Sequence, residues 1–182
     1  MGEKKRWRRF KKNNKQTQIT SHQRKEILQK IKNCKKKKTG ISCQEILDLT
    51  RNTPNFIGCF EQQTISRLTI AQLPIFFMVL VGKVKGHWIS VGLFKDSIEI
   101  FDPLGFRIFD WPDIPCSLLS FIHTYSRNRK LVISDKVQSN KSTLCGFYCL
   151  VYVFNRNRNT LKQIQSNFRS PSVNDYILKT LF

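Results

Sequence analysis

Gln138-Ser-Asn-Lys-Ser-Thr-Leu-Cys145-Gly146-Phe-Tyr-Cys149-Leu-Val-Tyr-Val-Phe154 runs a polar loop into a cysteine, and the cysteine opens an apolar helical pattern. Phe147, Leu150, Val151 and Phe154 recur at the spacing that buries one helix face, which predicts a helix with Cys145 at or just before its first turn. Free backbone N–H groups and the positive helix end stabilise a thiolate at such a position. Gly146 lets the chain pass close to whatever lies over the sulfur. A cysteine inside an apolar helix is also one of the commonest interior residues, so this segment alone is compatible with packing as well as chemistry.

Upstream, His87 and Trp88 open the alternating stretch Trp88-Ile-Ser-Val-Gly-Leu-Phe94. A short turn through Lys95, Asp96 and Ser97 leads to Ile98-Glu-Ile-Phe101 and then Asp102-Pro103-Leu104-Gly105. The pattern predicts two adjacent antiparallel strands, with His87 entering the first and Asp102 leaving the second. A hairpin of this size brings its outer ends together, so His87 and Asp102 become neighbours. Cys, His and Asp are the residue types needed for a thiolate nucleophile, a general base and a group that orients the base. A glutamine shortly before the nucleophile, Gln138, can donate amide hydrogens to a developing oxyanion.

These segments together resemble the adenovirus maturation protease (adenain) family, within the wider group of cysteine proteases that includes the SUMO-specific proteases. The resemblance is carried by Gly86-His87-Trp88, Phe101-Asp102-Pro-Leu-Gly105, and Gln138 followed by Ser142-Thr-Leu-Cys145-Gly-Phe-Tyr-Cys149. Asn55-Phe56-Ile-Gly58-Cys-Phe60 is similar to the entry into that family's catalytic domain, and the likeness runs from roughly Glu45 to Asn155. It implies His87 as base, Asp102 as its partner, Gln138 in the oxyanion hole and Cys145 as nucleophile. It also implies an α+β, papain-like fold and substrates with Gly-Gly or Gly-X before the cut. Adenain carries Glu where this chain has Asp102, while the SUMO-protease side of the group uses Asp. Arg129, Lys130 and Leu131 stand where adenain has a cysteine that bonds an activating viral peptide, so that route of activation has no counterpart here. The chain also stops about thirty residues after the nucleophile helix, sooner than adenain does.

At 182 residues the length suits one well-buried domain. Lys and Arg number 32 against 12 Asp and Glu, a formal charge of +20, which favours a polyanion partner such as nucleic acid. Much of that charge precedes residue 41: Lys4, Lys5, Arg6, Arg8, Arg9, Lys11 and Lys12 are interleaved with Trp7 and Phe10, and Lys35 to Lys38 form a second run. Aromatic rings among cations suit stacking on bases, and the same run reads as a nuclear-localisation patch or a solubilising tail. Arg127, Arg129 and Lys130 extend the basic surface onto the domain. The organisation expected is a basic extension over 1–40, with a helix from His22 to Ile31, and a single protease domain over 41–182.

Within that domain, Ser42 and Glu45 have capping-box spacing for a helix that buries Ile46, Leu47 and Leu49. Phe56 to Phe60 reads as a loop or short turn, and Leu73 to Val81 as the central strand with Pro74 at its entry. Leu131 to Ile133 joins a mostly antiparallel sheet covered on one side by the Cys145 helix and its companions. Pro115 starts a helix carrying Leu118, Leu119 and Ile122; His123 within it lacks an acid partner and reads as a surface residue. Val173, Ile177, Leu178 and Leu181 predict a last helix that seals the core.

Six irregularly spaced cysteines predict reduced thiols and no zinc site, with Cys149 as packing. The apolar run at Leu73 to Gly82 is too short to span a bilayer. The expected activity is a viral cysteine endopeptidase, a monomer acting on precursor proteins in the host nucleus and virion. DNA is the expected activator, and no metal or small-molecule cofactor is expected. A deubiquitinase or deSUMOylase uses the same catalytic set, and a basic packaging protein would leave the four ordered motifs unexplained.

Overall fold

The computed structural model describes residues 40–82, 86–106 and 114–181. The basic runs at Lys4–Lys12 and Lys35–Lys38, the helix expected at His22–Ile31 and Trp111 lie outside those residues. In chain order the elements are helix α1 (Cys43–Thr50), strand β1 (Phe56–Glu61), a 3-10 turn (Ile65–Arg67), β2 (Ile75–Val81), β3 (His87–Leu93), β4 (Ser97–Phe101), α2 (Cys116–Ser126), β5 (Lys130–Ile133), α3 (Cys145–Arg156), α4 (Leu161–Ser166) and α5 (Pro171–Leu181).

Five strands form one sheet in the order β1-β2-β3-β4-β5. Its centre is antiparallel, β2 against β3 and β3 against β4, and a parallel strand closes each edge. The result is an α+β fold. Helices cover both faces of the sheet. On one face Phe76, Met78, Trp88 and Phe101 pack against Tyr148, Cys149, Tyr152 and Val153 of α3. On the other, Phe77, Val79, Ile89, Val91, Ile98 and Ile100 pack against Leu118, Phe121 and Ile122 of α2. This two-sided burial explains the unbroken apolar run of β2, because all of its side chains except half-buried Leu80 leave water.

Aromatic rings set the spacing between sheet and helix. Tyr152 stacks on Phe101 with ring centroids 5.1 Å apart and meets Phe76 edge-on at 6.4 Å. The tyrosine lies flat on the sheet at Gly92, where a Cβ would stand 2.3 Å from its hydroxyl. The hydroxyl donates to buried Glu99, which also receives two bonds from Arg156 at 2.6 and 2.7 Å. Arg156 in turn lies 4.0 Å over the Phe94 ring.

Several local expectations change. Phe56–Glu61 is a strand, not a loop: it pairs in parallel with β2, but its register breaks at Gly58, whose φ of 129° only glycine adopts readily. Ser42 and Glu45 do form a reciprocal capping box, yet α1 buries Ile46 and Thr50 and leaves Leu47 exposed. In α2, Phe121 joins Leu118 and Ile122 in the core, Leu119 is half-buried and His123 is exposed. Cys43 and Cys59 form a disulfide, against the expectation of reduced thiols, because α1 and β1 lie side by side with Cα atoms 6.1 Å apart. No helix among the described residues is long and apolar enough to cross a membrane.

Candidate active site

The β3–β4 hairpin delivers two of the expected residues to one end of the sheet. Ser90 pairs with Phe101, so His87 at the start of β3 and Asp102 just after β4 share that end. Asp102 is buried and its carboxylate is fully engaged: Oδ1 accepts from His87 Nε2 at 2.7 Å and from the Leu104 N–H at 2.9 Å. Oδ2 accepts from the Phe106 N–H at 3.2 Å. Its backbone N–H donates to the Ser134 hydroxyl at 2.8 Å, and that hydroxyl donates back to the Asp102 carbonyl at 2.9 Å. The turn that carries these donors needs glycine at 105, where φ is 66° and a Cβ would lie 2.5 Å from the Lys136 nitrogen. Because Asp102 holds Nε2, the imidazole presents its other nitrogen, Nδ1, for proton exchange.

Cys145 is the first residue of α3 and is buried. The Trp88 N–H donates to its sulfur at 3.5 Å. Trp88 is itself held by a 2.9 Å bond from its indole N–H to the Ile41 carbonyl. Ile41 and Trp88 close over the start of α3 only because residue 146 is glycine: a Cβ there would sit 2.2 Å from Ile41 Cγ2 and 3.0 Å from Trp88 Cδ1. Gly146 therefore admits a tight lid of side chains, as the sequence pattern suggested.

His87 and Cys145 are joined by a side-chain hydrogen bond and shift each other's protonation. For Cys145, burial opposes the charged form, but the hydrogen bond and charge of His87, with the Trp88 and Gly146 N–H groups, leave the thiol below its ordinary value. For His87, burial works against the imidazolium, while Asp102 and Cys145 more than offset it and push the ring up to about 9. Thiolate and imidazolium thus coexist from the lowered Cys145 pKa up to about pH 9. Alkylation of Cys145 by iodoacetamide is expected to begin at lower pH than for an ordinary thiol, and His87→Ala is expected to move the onset upward. A pH–rate profile by mass spectrometry checks both. The sign for stability is the reverse of a carboxylate's: the raised His87 pKa contributes stability that is complete below 6.5 and lost as pH rises through about 9.

Gln138 is almost fully buried, and its amide closes the loop before the cysteine by donating from Nε2 to the Ser142 carbonyl at 2.9 Å. A flipped amide would set oxygen against oxygen, so this bond fixes its orientation. One amide hydrogen remains, and Oε1 is buried with no partner among the described residues. The Val137 and Gln138 N–H groups both donate to the Pro103 carbonyl at 2.9 Å, which ties this loop to the turn that carries Asp102.

Other candidates lie elsewhere. Cys149 packs beneath the site, where burial pushes its thiol well up and its S–H donates to the Trp88 carbonyl. Arg127 and Lys130 are exposed near the far end of the sheet, since Lys130 pairs with Ser97 at the opposite end of β4 from Asp102. Arg129 is half-buried and holds the Phe94 and Tyr125 carbonyls. Among the described residues no group of three His, Cys, Asp or Glu side chains is placed to hold a metal ion. Sequence reasoning missed Ser134, which reads as one polar residue after an edge strand, and Ile41, whose carbonyl and side chain gave no pattern to follow.

The fold resembles solved structures. The crystal structure of the ASFV pS273R protease superposes with a TM-score of 0.52 at 15% identity, over 82% of this chain and 69% of that one. Its selenomethionine form gives 0.54 at 14% identity, over 82% and 70%. The SUMO protease Ulp1, with its catalytic cysteine oxidised to a sulfinic acid, aligns over 85% of this chain and 73% of its own at 16% identity, but its TM-score of 0.31 adds no weight. No family model and no curated protein matches the sequence.

The likeness is one of fold: the chain shares its α+β arrangement with the ASFV pS273R protease.

Proposed function

We propose that this chain is a cysteine endopeptidase with Cys145 as nucleophile, His87 as general base and acid, Asp102 as orienter and Gln138 as an oxyanion donor. One observation carries the reading: Asp102 Oδ1 lies 2.7 Å from His87 Nε2 while the same imidazole bonds the thiol of Cys145. The sulfur attacks the scissile carbonyl and a tetrahedral oxyanion forms. The Gln138 amide and the N–H of Cys145, which has no intrahelical acceptor at the first helical position, stabilise it. Imidazolium protonates the departing amine, leaving a thioester, and neutral His87 then takes a proton from the water that hydrolyses it.

The resemblance to the adenain group supports substrates with glycine before the cut and viral precursor proteins as their source, processed in the host nucleus and virion. The charge of +20 supports DNA as an activator, bound through the basic extension of residues 1–40 and by Arg127 and Lys130. The test is cleavage of a fluorogenic peptide with Gly-Gly before the cut, with and without duplex DNA. Cleavage that DNA accelerates, and that added salt returns to the DNA-free rate, is the expected result. Cleavage indifferent to DNA would remove the activator, and no cleavage in either condition would remove the protease reading.

A further inference from the structure

Helix α5 seals the core with Leu178, but beside it buries two polar residues, Asn174 and Asp175, while Val173 and Ile177 remain exposed. Of the apolar residues read from the sequence, Leu178 faces inward as expected, whereas Val173 and Ile177 do not. Asn174 Nδ2 donates to the Val137 carbonyl at 2.8 Å and the Arg169 carbonyl at 3.1 Å, and its Oδ1 accepts from the Arg169 N–H at 2.7 Å. Asp175 Oδ1 accepts from the Tyr148 hydroxyl at 2.8 Å, and its Oδ2 accepts from the Ser139 hydroxyl.

The partners of these two residues are not scattered. Val137 and Ser139 flank Gln138, and Tyr148 lies in the first turn of the helix that Cys145 opens. One buried carboxylate thus bridges the glutamine loop and the nucleophile helix. Taking a carboxylate out of water is unfavourable, and apolar side chains would seal the same surface without that penalty. The Pro103 carbonyl also holds the loop, through the Val137 and Gln138 N–H groups.

We propose that Asn174 and Asp175 are positioning residues that lock the 137–139 loop to helix α3, so that the Gln138 amide meets the oxyanion formed at Cys145. This rests on the protease reading above, and it adds the last helix to the machinery. A residue acting through Gln138 affects the step that forms an oxyanion and spares the reactivity of the thiolate itself.

The full chain is compared with Asp175→Asn, Ser139→Ala, Gln138→Ala and the double variant Asp175→Asn/Gln138→Ala. Two rates are read: alkylation of Cys145 by iodoacetamide, which needs no oxyanion hole, and kcat on the Gly-Gly fluorogenic peptide. Asp175→Asn is expected to lower kcat about tenfold with KM and the alkylation rate unchanged, a fraction of the 10²–10³ that a lost oxyanion donor costs. Ser139→Ala, which leaves α5 untouched, is expected to give a smaller loss of the same kind. In the Gln138→Ala background the Asp175 substitution is expected to add little. Loss of alkylation and kcat together, or an undiminished Asp175 effect without Gln138, would overturn the positioning role while leaving a protease. Absence of hydrolysis in the wild type would instead overturn the protease reading, and this inference with it.

Discussion

Peptide hydrolysis is expected to disappear in Cys145→Ala, and kcat/KM to fall by about 10⁴-fold in His87→Ala with the fold intact. The size of the second effect follows from the surroundings of the sulfur. Burial alone would raise the Cys145 thiol, and the interaction with His87 is the leading influence that reverses this. Without the imidazole, neither the thiolate nor the proton for the leaving amine is available. Asp102→Asn is expected to cost less, because an amide still fills the space, but its NH2 cannot accept from the donors that surround the carboxylate. Steady-state kinetics on the Gly-Gly peptide, with circular dichroism as the control for folding, measure all three.

The largest stability effect is expected away from the sulfur, at Arg156→Met. Glu99 is buried, and Arg156 meets it with two short bonds while Tyr152 adds a third. Removing the guanidinium leaves a buried carboxylate facing a tyrosine whose own ionisation is strongly suppressed by burial and by Glu99. Breaking one side of such a pair typically costs about 3–5 kcal/mol, or roughly 10 °C in Tm for a chain of this size. The cation over the Phe94 ring is lost as well, which adds to the same side of the balance. Replacing both partners, as Glu99→Leu with Arg156→Met, is expected to recover most of the loss, since no uncompensated charge remains. Thermal unfolding of the two variants decides it: equal Tm values for the single and double variant would show that packing, not the unpaired charge, governs this site.

The parts of the fold that were legible in the sequence are those where pattern and local chemistry agree. The hairpin from His87 to Asp102 combines alternation with a short polar turn, and the apolar spacing after Cys145 reads as a helix. Of the face that spacing names, however, only Leu150 is buried: Phe147, Val151 and Phe154 are half-buried, and Tyr148, Cys149, Tyr152 and Val153 turn inward. Other features depend on partners distant in the chain. Strand β1 is short, is interrupted by Gly58 and gains its identity only from parallel pairing with β2. The Cys43–Cys59 disulfide follows from the packing of α1 on β1, which spacing alone does not reveal. In α5 the periodicity correctly named Leu178 but also Val173 and Ile177, whereas the buried face holds Asn174 and Asp175, because their polar groups find partners in the loop around Gln138. Binary patterning has no means to anticipate a buried polar residue whose partners come from elsewhere.

The most direct test of the central claim is intact-mass analysis after exposure to a vinyl-sulfone peptide ending in Gly-Gly. Cys116, a free and exposed thiol, serves as an internal reference in the same chain. The account predicts a single adduct on buried Cys145, slowed in His87→Ala and absent in Cys145→Ala, while Cys116 stays unmodified. Labelling that favours Cys116, or that proceeds at the same rate without His87, would contradict it.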